Sequence, residues 1–176
     1  KKLAQKHLEL AGYPNGEGLS PIVLNTTPAY SDLCEFIQSE LKNIGIELII
    51  DLNPSSTHRQ MSATSKLNFW RASWIADYPD AQNYLSLFYS KNNWNKGLNK
   101  THFHSKEFDI LYEKSIIESD FEKRTKMYQE LDQIIMNNSV IIPLYYDQVL
   151  RFSHKNIKGF SANAQNSLDL TKVIKE

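Results

Sequence analysis

The sequence lacks most of the features that identify a short catalytic domain. It has one cysteine, Cys34, in 176 residues, so an internal disulfide framework is excluded. In its amphipathic stretch that thiol reads as a small buried hydrophobe. Lys and Arg number 20 and so do Asp and Glu, and the zero net charge gives no electrostatic reason to expect nucleic acid or an anionic membrane. No apolar run approaches the length of a membrane-spanning helix. The six glycines are too scattered for a phosphate-cradling loop or a dinucleotide fingerprint, and no Gly-x-Ser-x-Gly elbow occurs. No cofactor is expected, and nothing suggests an enzyme. The N-terminal residues, Lys1 to His7, lack the apolar core of a secretory signal. They read as a helix entered midway, so the sequence is expected to begin inside a longer protein.

What is present is alternation of helix and strand patterns, with a length suited to one domain. Leu3, Ala4, His7, Leu8 and Ala11 recur at helical spacing, Gly12 ends the helix, and Gly12 to Gly16 is a turn cluster. Pro21 to Leu24 reads as a buried strand. Leu33, Phe36, Ile37, Leu41 and Ile44 form one helix face ending at Gly45, and Ile46 to Leu52 alternates as a second strand. A Ser/Thr-rich segment from Ser55 caps a short helix, and Phe69 to Ala76 is a third strand. The order predicts an α/β fold, a mostly parallel sheet flanked by helices.

Ala81 to Tyr89 is helical in pattern, and a polar loop runs from Ser90 to His104. Two helices follow, one with Phe108, Leu111, Tyr112 and Ile116 on a face. The other opens on a capping box, Ser119 with Glu122, and carries Tyr128, Leu131, Ile134 and Ile135. Val140 to Tyr146 reads as a strand, and Val149 to Phe152 continues in extended form. His102 and His104, the only close histidine pair, could ligate a metal with distant carboxylates, but the loop-surface reading is simpler and no metal is expected.

The segment Phe69 to Asp80 is the most informative. As a strand it sets Arg71, Ser73 and Ile75 on one face and Trp70, Ala72, Trp74 and Ala76 on the other. An arginine in such an apolar strand needs an anion or water, because an unpaired buried charge is costly. Asp77 comes where the strand ends, and Pro79 prevents its continuation. In open α/β sheets, ligands bind outside the carboxyl ends of strands, and a carboxylate there can hold a ligand amine. The alternative is structural: Asp77 or Asp80 caps the next helix, Arg71 pairs with a carboxylate of the chain, and both tryptophans are core. Arg71 and Asp77 are six residues apart, about 20 Å when fully extended. They could meet opposite ends of an extended peptide.

The stretches Trp74 to Asp80 and Asn83 to Ser90 resemble the oligopeptide- and dipeptide-binding family of ABC-importer substrate-binding proteins, extracellular solute-binding protein family 5. Further markers follow in family order: Ala4 to Gly16, Leu41 to Ile46, Phe108 to Glu113, Glu122 to Arg124, Tyr128 to Glu130, Ile142 to Tyr146 and Asn156 to Phe160. The resemblance implies a periplasmic-binding-protein-like lobe. Residues 1–176 would be the C-terminal ligand-binding lobe of a longer two-lobed, monomeric protein. It would be periplasmic or cell-envelope, lipid-anchored, and would deliver peptides to membrane permease subunits. By resemblance, Asp77 receives the peptide α-amino group and Arg71 its carboxylate. Trp74 stands beside the cleft, and the backbone at Ser73 and Ile75 runs along the peptide. Two departures bear on this. Trp74 has the opposite parity from Arg71 and Asp77, and Asn53 to Gln60 lacks an aromatic usual in relatives. Nickel complexes and sugars are alternative ligands in such a family, as is a signalling or scaffold role for the lobe; Asp77 favours an amine.

Overall fold

In the computed structural model, residues 1–92, 97–161, 163 and 167–176 are described. They divide into two units, Lys1–Ser73 and Trp74–Glu176.

The first unit opens with α1, Lys2–Leu10, which ends before Gly12 in a left-handed conformation at φ 86°. Strand β1, Ile22–Thr26, leads through α2, Ser31–Lys42, to β2, Leu48–Leu52. The two strands pair in parallel, Ile22 against Leu48 through Thr26 against Leu52. A parallel pair needs such a crossover, and the helix lies where its apolar stripe can close on the sheet. Cys34, Leu24 and Leu48 are the buried centre, with Ile37, Leu41 and Phe69 packed around them. Cys34 is therefore the small buried hydrophobe expected of it. Helix α3, Ser55–Ala63, follows with Pro54 at its N-cap and no side-chain cap, so Ser55 does not play the capping role expected.

Backbone geometry fixes one corner of this unit. Gly45 and Gly16 sit at φ 88° and 80°, and a Cβ on Gly45 would lie 1.7 Å from the Asn15 carbonyl oxygen. The turn at Pro14–Gly16 and the end of α2 thus meet backbone to backbone, an approach open only to glycine.

The expected third strand contracts to one parallel bridge, Asn25 with Trp70. The Asn25 N–H donates to Phe69 O and the Arg71 N–H to Asn25 O, after which the chain leaves the ladder. Beyond Trp70 no ladder enforces alternation, so the predicted two-faced strand through Ala76 does not form.

The second unit is held by helices. The four-residue α4, Gln82–Leu85, precedes α5, Lys106–Ile117, and α6, Phe121–Asn137. Phe108, Tyr112, Leu131 and Ile135 form its core with Leu85 and Phe88. Ser105 caps α5 by accepting from the Phe108 N–H. At α6 the cap is Asp120, accepting from the Lys123 N–H, and not the predicted Ser119 box. An aspartate one residue nearer the helix takes the Lys123 N–H, one residue beyond the donor a Ser119 cap would use, and does so with a full negative charge. Val140 to Tyr146 and Val149 to Phe152 are not strands. A strand needs a ladder partner, and none of the described residues pairs with them. A two-residue antiparallel ladder joins β3, Ile157–Lys158, to β4, Ile174–Lys175. Residues 93–96 of the expected polar loop lie outside the described residues.

Candidate functional site

Arg71 and Ser73 belong to the first unit and Trp74, Ile75 and Asp77 to the second. In the first, Arg71 follows the bridge at Trp70, beside the carboxyl end of β1 at Thr26. Its guanidinium carbon lies over the Tyr30 ring, 3.2 Å from the centroid. Stacking of this kind holds a guanidinium by its face and uses none of its N–H donors. The Arg71 carbonyl oxygen is 3.1 Å from Nε2 of His58 on α3. With a proton on Nε2 the imidazole donates there, and Nδ1 becomes an acceptor. Asn53 Nδ2 donates to Asn25 Oδ1 at 3.2 Å across the ends of the two strands.

Three buried polar atoms in this region, Thr26 Oγ1, His58 Nδ1 and Arg71 Nε, have no hydrogen-bond partner among the described residues. Buried polar groups are nearly always satisfied, so such a cluster is a place to look for function. No carboxylate pairs with Arg71 among the described residues, so the alternative of an ion pair within the chain is not seen, and Arg71 stacks on Tyr30. Ser73 is exposed.

In the second unit Trp74 is half-buried, and its indole N–H donates to Asn83 Oδ1 at 2.6 Å. The Asp77 backbone N–H donates to the same oxygen at 3.3 Å. Asn83 Nδ2 in turn donates to Asp77 Oδ2 at 3.5 Å. Asn83 itself, on α4, is 2% exposed. Asp77 is exposed, and Ile75 is 68% exposed, so Ile75 is not an apolar member of a buried strand face.

Asp80 does different work. Its Oδ1 accepts from the Gln82 N–H at 2.8 Å and from Tyr128 Oη at 3.0 Å, while Arg124 lies 3.5 Å from Oδ2. The helix-start role weighed for Asp77 or Asp80 thus falls to Asp80. Gln82 also bonds the Tyr112 hydroxyl and the Tyr78 hydroxyl. Burial pushes the Tyr112 phenol up to about 12. Burial, then the hydrogen bond to Asp80, raises Tyr128 to about 12.

Tyr30, His58 and Asn83 were not marked by the sequence pattern as site residues. His58 reads as one scattered histidine and Tyr30 carries no local signal. Asn83 is visible only as part of the motif after Asp80. His102 stands at φ 59°, and no group of three or more His, Cys, Asp or Glu side chains lies together among the described residues. The arrangement presents an exposed carboxylate contacted by a neutral amide, and a guanidinium over a ring near polar atoms that have no partner among the described residues.

Comparison with known proteins gives the family. Among curated relatives, the dipeptide-binding protein DppE of Bacillus subtilis is 23% identical over 97% of this chain and 31% of its own length. The oligopeptide-binding protein OppA of Bacillus subtilis is 26% identical over 90% of this chain and 29% of its own. The chain therefore spans about a third of the length of these relatives. Among solved structures, the periplasmic binding protein DppA of Helicobacter pylori, in complex with the peptide STSA, superposes with a TM-score of 0.80 at 26% identity. That match covers 99% of this chain and 34% of the other. The fold is shared with Haemophilus influenzae OppA at a TM-score of 0.82 and 24% identity, over 99% of this chain and 34% of that one. A family profile of bacterial extracellular solute-binding proteins, family 5 (middle region), matches residues 1–96. The chain belongs to the family 5 bacterial extracellular solute-binding proteins.

Proposed function

We propose that this chain is the C-terminal ligand-binding lobe of a longer, two-lobed protein that captures peptides outside the cytoplasm and hands them to an ABC permease. The work is binding without a chemical step, by a monomer held at the membrane through a lipid anchor. Asp77 receives the ligand's α-amino group, Trp74 supplies an apolar wall, and Arg71 offers its guanidinium to an anionic group. The backbone at Ser73 and Ile75 runs beside an extended peptide.

The observation that carries this reading is the exposed Asp77 carboxylate, braced by Asn83 next to the Trp74 indole. The peptide-named relatives support it. A charge-assisted hydrogen bond is worth about 1.5–3 kcal/mol, or roughly 10- to 100-fold in affinity. Calorimetry on the complete protein with short peptides is therefore expected to show Asp77→Ala weaker by that factor. Equal affinity in the two proteins removes Asp77 from the site. A non-peptide solute is the second reading, because heme-binding protein A of Haemophilus influenzae is 25% identical over 89% of the chain and 29% of its own length. Tight binding of heme and none of peptide in the same titrations would favour it.

A further inference from the structure

We propose that Asn83 is the positioning residue of the amine-receiving carboxylate and sets the preference for ligands with a free α-amino group. The proposal rests on Asp77 being that receiver.

Asn83 is 2% exposed, so its amide must find partners inside the fold. Trp74 Nε1 and the Asp77 backbone nitrogen can only donate, and both face the same atom, at 2.6 and 3.3 Å. That atom must be the oxygen of the amide. The flip is thereby decided, and Nδ2 is left pointing to Asp77 Oδ2 at 3.5 Å. One planar group thus ties together the Trp74 ring, the Asp77 backbone and the Asp77 carboxylate. The backbone of Asn83 is itself fixed, its N–H donating to Asp80 O at 3.1 Å and its carbonyl accepting from Ser86 Oγ at 2.7 Å.

The choice of an amide matters electrostatically. Asp80, three residues on, is met by the Arg124 cation as well as by two neutral donors. Asn83 is neutral, so its contact orients Asp77 without cancelling its charge. Fixing the rotamer of a carboxylate before the ligand arrives lowers the cost of binding.

The test compares trialanine with N-acetyl-trialanine by calorimetry on the complete protein. The wild type is expected to prefer the free amine roughly 10-fold or more, and Asp77→Asn to bring the ratio close to one. Asn83→Ala is expected to lower the ratio roughly 3- to 10-fold, weakening trialanine much more than its acetylated form. Because Asn83 acts through Asp77, the double variant should show no smaller ratio than Asp77→Asn alone. If Asn83→Ala fails to fold, Asn83→Ser keeps a polar group on a shorter side chain, withdraws the amide nitrogen that meets Asp77 Oδ2, and should shift the ratio the same way. Equal weakening of both probes by the Asn83 variants, with Asp77→Asn still collapsing the ratio, overturns the proposal and leaves the reading of Asp77 intact. A ratio that Asp77→Asn does not change overturns both.

Discussion

The two units solve the problem of half-buried polar groups in opposite ways. In the first, Arg71 is held by a ring face, and Thr26, His58 and Arg71 each keep a buried polar atom without a partner among the described residues. In the second, the turn from Asp77 to Gln82 is stitched by paired side chains: Asn83 to Trp74 and Asp77, Asp80 to Tyr128 and Arg124. The first unit gets its rigidity from backbone close to backbone, and the second from hydrogen bonds among side chains. The difference teaches where each will break.

The largest effect is expected at the glycine corner. Alanine at Gly45 must adopt φ 88°, and its Cβ would sit 1.7 Å from the Asn15 carbonyl oxygen. Left-handed backbone alone costs about 1–2 kcal/mol for a residue with a Cβ, and here backbone must also move. Gly45→Ala should lower stability by more than about 2 kcal/mol. In hydrogen exchange on the complete protein the loss should concentrate in β1, α2 and β2. Uniform loss across residues 1–176 would show that the units do not open separately.

The second unit should break at high pH. Tyr112 and Tyr128 are raised from 10.0 to about 12 in the folded chain, so each stays protonated there after the unfolded chain has released its proton. Their contribution is complete below about pH 10 and is lost as pH climbs to about 12. Spectroscopic titration of the phenols should place Tyr112 and Tyr128 among the late-ionising groups, together with Tyr89, which its hydrogen bond to Glu113 also raises. Asp80→Ala should bring Tyr128 down only part of the way, since burial is the larger cause and Asp80 the second. The same variant should cost about 1–3 kcal/mol through the lost carboxylate contacts. A Tyr128 phenol unmoved by Asp80→Ala would break the claim that this network is coupled.

These contrasts explain what could be read beforehand. The βαβ order, the helix faces and the stops at Gly12 and Gly45 follow from periodicity and from residues with one dominant conformation. Two of the resemblance markers, Ala4 to Gly16 and Leu41 to Ile46, meet at the glycine corner through Gly16 and Gly45. The strand after Phe69 was over-read because apolar alternation measures burial potential, whereas a ladder needs a neighbour, and the described chain has one only as far as Trp70. The same holds for Val140 to Tyr146. At the proposed site, Asp77 was marked from an expected strand end before Pro79, although the pairing stops at Trp70. Tyr30, His58 and Asn83 were not, because each acts through a contact 6 to 41 residues away in sequence, on Asp77 in one case and Arg71 in the others.

The smallest effect is also the sharpest test of the contrast between paired and unpaired polar groups. Thr26 is fully buried at the end of β1, and its hydroxyl has no partner among the described residues. A hydroxyl buried without a hydrogen bond is a cost carried by the folded state. Valine has nearly the same shape, prefers the strand, and removes that cost. Thr26→Val is therefore expected to leave stability unchanged or raise it by up to about 1 kcal/mol in denaturant titration. The opposite is expected of Asn83→Leu in the second unit, where an apolar side chain of similar size strands the Trp74 and Asp77 donors that now share Asn83 Oδ1. If Thr26→Val instead destabilises by 1 kcal/mol or more (roughly the worth of one hydrogen bond), the hydroxyl has a partner in solution. The first unit would then be satisfied like the second, and its polar atoms would lose their distinction.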